Sequence, residues 1–206
     1  MNTTEYTPAQ ASAVANLPLA VVHKLIEHRL IRPRRLRSGR AVLRMLSKEQ
    51  VLYLRLEAEG VRLLPIASRR AIAKKIESSP GVDAVFLTEG SAVVVQVKSV
   101  RMELNENFKR LERAENMIVS DPEIMRGTPV YRGTRIPVEL VADMLNQGAT
   151  YEQILAGYPA LDREKVELAP FYIQAFPRRG RPVSRPWAKQ KPIRGARQSR
   201  STTGRK

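Results

Sequence analysis

The chain has 206 residues, enough for one or two domains, and a formal net charge of +16. It has no cysteine, so disulfide frameworks and thiolate chemistry are excluded. No apolar run approaches the ~20 residues of a membrane span, and the N-terminus lacks a signal-peptide pattern, which together predict a cytoplasmic protein. The charge is unevenly placed: residues 177–206 carry eleven Lys or Arg and no acid, while the rest carry 25 basic and 20 acidic side chains.

Thr7-Pro8-Ala9-Gln10 combines an N-cap, a proline at the first helical position and a glutamine placed to close a capping box. A helix to about Ala15 follows. Asn16-Leu17 turns the chain, and Pro18 opens a second helix to about Arg29. Its apolar stripe is Val21, Val22, Leu25 and Ile26, which leaves His23, Lys24 and Glu27 outside. Two short helices around a tight turn form a helix-turn-helix candidate.

In residues 30–46, Ser38-Gly39 separates two β-prone arms, so a hairpin is predicted. Arg32, Arg34, Arg35, Arg37, Arg40 and Arg44 fall within thirteen residues with no acid among them. Ser47-Lys48-Glu49-Gln50 is a second capping box, and Gly60 ends the helix that it starts. This order resembles the winged-helix DNA-binding domain of the MerR family over residues 6–60. The matching pieces are Asn16-Leu17-Pro18 at the turn and the run LIRPRR (30–35) at the wing entry. Pro18 and Val21 depart from it, standing where that family offers a hydroxyl. The candidate DNA-binding residues are His23, Lys24, Arg32, Arg34, Arg35, Arg37 and Arg40: a basic wing beside a helix of major-groove size.

Residues 65–76 read as a helix with Ile72 and Ile76 inward, broken by Ser79-Pro80-Gly81. A β-hairpin turning at Glu89-Gly90 follows. Two strands alone are marginal, so they are expected to pair with another chain or to pack under helices. Residues 101–116 return to helix, with Leu104, Phe108 and Leu111 on one face. The stretch RGTPVYRGTRIPV (126–138) reads as a compact extended segment feeding a helix that starts at Pro137 and stops at Gly148. Thr150 caps the next helix, and Asp162 caps a third that carries Val166, Ala169 and Ile173. Pro170 removes an amide donor inside that last helix and is expected to kink or restart it.

The runs DPEIMRGTPVYRGTRIPV (121–138), QGATYEQILAGYPAL (147–161) and DREKVELAPFYI (162–173) resemble the bacterial family of domains of unknown function numbered 433. That resemblance implies a small trihelical domain and an antitoxin of VapB-like role, often encoded beside a PIN-like nuclease. The predicted architecture is therefore mainly α with small β. It comprises a winged helix-turn-helix (1–78), a β-hairpin and linker helix (79–116), a trihelical HTH-like domain (117–176) and a disordered basic tail (177–206).

No catalytic constellation is evident, and neither enzyme activity nor a cofactor is expected. His23 and His28 are five residues apart and share no helix face, which argues against a metal pair. Gly127 and Gly133 lack the Gly-Lys-Ser/Thr ending of a phosphate loop. The tail is too polar to offset its chain entropy alone. It could bind nucleic acid nonspecifically, keep the chain soluble, or wrap an acidic protein surface. Trp187 among arginines favours the last, because an aromatic anchor flanked by Arg is interface composition. Arg178, Arg179, Arg181 or Arg185 could then pair with the metal-holding carboxylates of a PIN-type nuclease. The expected function is a type II antitoxin that inhibits a PIN-like ribonuclease toxin and represses its own operator DNA. Operator symmetry implies a homodimer or a toxin–antitoxin hetero-oligomer. The alternative is a stand-alone MerR-like transcriptional regulator whose tail adds nonspecific DNA affinity.

Overall fold

The structure, a computed structural model, describes residues 5–39, 41–87 and 94–177. Eight α-helices and three two-stranded antiparallel sheets appear among them. The helix starts follow the capping chemistry of the sequence. In α1 (Pro8–Ala15) the Thr7 hydroxyl accepts from the Gln10 amide at 3.3 Å, and the Gln10 side chain accepts from the Thr7 amide at 2.8 Å. The same reciprocal box, Ser47 with Gln50 and Thr150 with Gln153, starts α3 (Lys48–Ala58) and α7 (Tyr151–Gly157).

Asn16 ends α1 at φ 53°, a left-handed conformation that asparagine tolerates, and α2 (Leu19–Glu27) follows. Pro18 is the N-cap of α2 rather than its first helical residue, and Pro137 plays the same part for α6 (Val138–Asn146). In both, ψ near 135° holds the proline in extended backbone before the helix begins. The second helix stops at Glu27, short of Arg29, because Arg29 turns left-handed at φ 56° and feeds the buried pair Leu30 and Ile31.

The hairpin expected as a wing, and called the wing for its place in the chain, is β1 (Arg34–Ser38) against β2 (Ala41–Met45). A bridge between Tyr6 and Leu46 ties its base to the N-terminal segment. Next comes α4 (Ile66–Ser78), with Ile72 and Ile76 fully buried. β3 (Ala84–Phe86) pairs with β4 (Val94–Gln96), and the Glu89-Gly90 turn lies outside the described residues. β3 packs against α4 through the buried Val85 and leaves Phe86 exposed. A 20-residue helix, α5 (Lys98–Met117), starts three residues earlier than its apolar pattern predicts and leads into β5 (Ile118–Val119), which pairs with β6 (Val130–Tyr131).

The last helix, α8 (Arg163–Ala175), runs unbroken through Pro170, so the expected restart does not occur. Val166, Leu168 and Ala169 before the proline and Phe171, Tyr172 and Ala175 after it are all buried. Anchoring on both sides outweighs the missing hydrogen bond, and Pro170 itself faces solvent.

One buried cluster includes residues from α1 to α8. Its centre is α1, whose Ala11, Ser12, Ala13, Val14 and Ala15 are all buried. Around it pack α2, α3, α5 and α8. Small side chains are what let four helices approach one short helix. Ser12, the polar member, donates its hydroxyl to the Leu17 carbonyl at 2.5 Å.

The junction of α3 and α4 is electrostatic. Glu57, 3% exposed, receives two bonds of 2.9 Å from Arg69 and one from the Tyr53 hydroxyl. Burial, and then the bond to that carboxylate, pushes the Tyr53 phenol well above its ordinary pKa. Removing Arg69 leaves the Glu57 carboxylate out of water with no opposite charge and only the Tyr53 hydroxyl as partner. Arg69→Ala should therefore cost about 3–5 kcal/mol in urea unfolding, far more than the exposed neighbour change Arg70→Ala.

Candidate nucleic-acid interface

The basic run of the wing is divided by strand parity. Register places Arg35 opposite Arg44, Arg37 opposite Val42 and Arg34 opposite Met45. Side chains alternate across a strand, so Arg35, Arg37 and Arg44 share one face. Arg34, Leu36, Leu43 and Met45 share the other. Both faces stand in solvent: every residue of β1 is exposed, and Val42 on β2 is 58% exposed.

The arginine face has no counter-charge. Among the described residues, Arg35, Arg37 and Arg44 make no ion pair. Directly opposed like charges destabilise a sheet, so Arg35 and Arg44 strain the hairpin until an anion lies between them. Two or more guanidinium groups on a protruding ribbon suit a phosphate track. Arg44 belongs to the basic run, and the register gives it a place in the centre of that face.

Arg34 does something else. Its Nη2 donates to Glu5 Oε2 at 2.6 Å, and this bond holds the guanidinium pKa above its ordinary value. It lies on the opposite face from the three clustered arginines, so it is separated from the set in which the sequence had placed it. Arg32 is exposed just before the wing, where Gln50 Nε2 donates to its backbone carbonyl at 3.0 Å. His23 and Lys24 lie on the exposed side of α2, opposite the buried Val22 and Leu25. Pro18 is spent on the cap of α2, and Val21 packs against the core. Arg40 and the tail candidates Arg178, Arg179, Arg181, Arg185 and Trp187 lie outside the described residues.

Elsewhere the described residues offer less chemistry. No group of three or more His, Cys, Asp or Glu that could hold a metal occurs among them, and no helix among them is long and apolar enough to cross a membrane. A cleft of about 750 Å³ beside α5 is lined by Glu5, Glu106, Glu112 and Glu115 against Lys48 and Lys109, an acidic balance unsuited to a polyanion; Lys109 pairs with Glu106 at 2.8 Å, and Lys48 sits 5.4 Å above the Phe108 ring.

The Gly-Thr stretch braces α8. Tyr131, 1% exposed, sends its hydroxyl to the Lys165 carbonyl at 3.0 Å. Thr134 folds its own turn by donating to the Tyr131 carbonyl at 2.9 Å and accepting from the Ile136 amide at 3.1 Å. Glycine is required at Gly127 and Gly133, with φ of 75° and 78°. Met125 and Arg126 also adopt left-handed backbone, at φ 50° and 56°. Ser120 and Asp121 hold that loop through the Gly127 carbonyl and amide.

Residues 118–173 match the family model described as protein of unknown function (DUF433). The DUF433 segment thus comprises the β5–β6 pair, α6, α7 and most of α8. A longer match joins it to the N-terminal part. The uncharacterized protein y4eO of Sinorhizobium fredii (strain NBRC 101917 / NGR234) is 29% identical over 190 residues, covering 84% of this chain and 82% of that protein. The crystal structure of Rv2018 from Mycobacterium tuberculosis is similar at 15% identity and a TM-score of 0.31, covering 80% of this chain and 96% of that one.

The opposition of Arg35 and Arg44 has a measurable consequence away from any ligand. Arg44→Thr should raise stability at low salt by roughly 0.2–1 kcal/mol in thermal unfolding, and the gain should fade as salt screens the pair. A loss of stability would mean that the two guanidinium groups do not repel.

Proposed function

We propose that this chain is a DNA-binding antitoxin: it binds operator DNA through α2 and the wing, and holds a PIN-like ribonuclease through its basic tail. The observation that carries the DNA part is the face of Arg35, Arg37 and Arg44, three exposed guanidinium groups on a protruding hairpin without an acid partner among the described residues. The two short helices α1 and α2, joined by the Asn16 turn, supply the second element as a helix-turn-helix in this reading. α1 is locked into the core and α2 turns its polar side outward. Such a reader of inverted half-sites works as a two-fold dimer.

The antitoxin part is supported by the resemblance of the DUF433 segment and by tail composition. Eleven basic residues without an acid, and a single Trp187, complement the carboxylate cluster of a metal-dependent nuclease. A second reading, a free-standing transcriptional regulator, is favoured by one observation: the basic surface of the wing is complete without the tail.

Fluorescence anisotropy on a duplex from upstream of the gene tests the DNA part. Arg35→Ala, Arg37→Ala and Arg44→Ala should each reduce the slope of log affinity against log salt by about 0.9, with no loss of folded signal. Arg34→Ala, on the other face, should change the slope less. Unchanged slopes in all three variants would remove the wing from the interface. For the antitoxin part, the full chain should suppress the ribonuclease activity of a nuclease encoded beside it, and a chain ending at Pro177 should not. Equal suppression by both would move inhibition to the folded part. Suppression by neither would favour the regulator.

A further inference from the structure

The three two-stranded sheets differ in how their edges are guarded. An open strand edge offers unpaired amides and carbonyls to another chain, and proteins blunt such edges with charge, proline, shortness or cover. The wing carries four arginines on β1 and β2. The β5–β6 pair is two residues long per strand, and Val130 bridges to Pro137 beside it. β3 and β4 have none of these devices. From Ala84 to Thr88 and from Ser91 to Val97 the sequence has no charge and no proline, and Ala84–Phe86 pairs with Val94–Gln96 without a bulge. Among the described residues, neither strand meets a further strand, and no backbone–backbone hydrogen bond joins either one to anything outside the pair. Parity divides this hairpin too. Val85, 2% exposed, and its partner Val95 face the core, on which Leu87 also packs. Phe86 and Val94 form the outward pair, and Phe86 is 67% exposed.

We propose that β3 pairs antiparallel with β3 of a second copy of this chain, the two Phe86 rings side by side, in a continuous four-stranded sheet of order β4-β3-β3-β4. Symmetry and charge select a second copy over another protein. A two-fold axis at Phe86 makes the strand its own complement: it sets ring beside ring on the outer side and Val85 opposite Leu87 on the core side. The net charge of +16 sets copies against each other elsewhere, and the uncharged hairpin is a place where they can meet. The contact is small. Phe86 has roughly 100–170 Å² left to cover, a fraction of the ~800 Å² per partner of a stable interface. The dimer is therefore concentration-dependent in solution, and it strengthens when two half-sites of one duplex hold two copies side by side. The solution dimer is independent of the DNA-binding reading above, whereas its strengthening on DNA rests on that reading.

The chain has no cysteine, so one introduced thiol can form a disulfide only with a second copy. Opposed residues of antiparallel strands have Cα atoms about 4.5–5.5 Å apart, within the range of a disulfide. Under a mild oxidant, the full chain with Phe86→Cys should form a covalent dimer roughly ten-fold faster than the chain with Leu63→Cys, whose side chain is 83% exposed. In sedimentation velocity the unmodified chain should pass from monomer to dimer as its concentration rises. Phe86→Lys should raise the concentration of that transition by roughly ten-fold or more, because like charges directly opposed destabilise a strand pair. Phe86 is exposed in the single copy, so both variants should keep the unfolding temperature of the monomer. A dimer sensitive to Phe86→Lys in a chain without affinity for duplex supports the contact and overturns the DNA-binding reading. Equal crosslinking of the two thiols, or a dimer untouched by Phe86→Lys, overturns the β3 contact and leaves the DNA reader to dimerise elsewhere. A chain that is monomeric in solution and on duplex overturns the contact together with the two-fold reader. A monomer whose binding to a neighbouring nuclease is lost in Phe86→Lys also overturns it, giving the hairpin to that partner.

Discussion

The burial of the last five residues of α1 on every side is the constraint on which the rest depends. These are Ala11, Ser12, Ala13, Val14 and Ala15, and α2, α3, α5 and α8 all pack against the helix. Interiors are packed at crystal density, so a helix enclosed by four others admits little beyond alanine, serine and valine. The arrangement has two results. It fixes the origin of α2, whose exposed stripe is then presented at a set angle. It also places the DUF433 segment in the same core, because α8 packs on both α1 and α5. Polar links reinforce the join: Asn107 donates to the Val14 carbonyl at 3.0 Å, Arg113 pairs with Glu164 at 3.1 Å, and the Arg110 guanidinium lies 4.9 Å from the Phe171 ring centre.

The wing is the opposite case. It contributes little burial, and its two strands hold mostly by their own ladder and by the Tyr6–Leu46 bridge. An element with so little packing that still gathers Arg35, Arg37 and Arg44 on one face sacrifices stability for charge. That is the pattern of a binding element on a rigid scaffold. The rigid part is α1 and its neighbours, and the proposed DNA contact lies where the core ends.

Much of this was legible in the sequence, for local reasons. Three capping boxes announce three helices, because a Ser or Thr and a Gln three residues apart satisfy each other's backbone groups whatever the tertiary context. Gly60 and Gly148 mark stops for a similar reason, having φ of 125° and 88°. The match over 118–173 fits the segment expected from DPEIMRGTPVYRGTRIPV and the two runs after it. What was not legible depends on partners distant in sequence. A hairpin turning at Ser38-Gly39 would set Arg35 against Val42. The observed Ser38–Ala41 pair moves the turn one residue on and sets Arg35 against Arg44 instead. The Arg34–Glu5 pair follows from the Tyr6–Leu46 bridge, which no local pattern reveals. The role of α1 is hidden because a helix of small residues has no apolar stripe to read. The absence of a restart at Pro170 has the same origin: the side chains that hold α8 together across it pack against α1, α5 and α6.

Native-state hydrogen exchange under increasing urea tests the central claim most directly. If α1 is the shared centre of the molecule, the slowest amides of α1 and of α8 should open with the same free energy and the same urea dependence, merging into one unfolding unit. If α8 opens at distinctly lower free energy while α1 keeps its protection, the DUF433 segment is a separate unit docked on a self-sufficient N-terminal part, and the account is wrong.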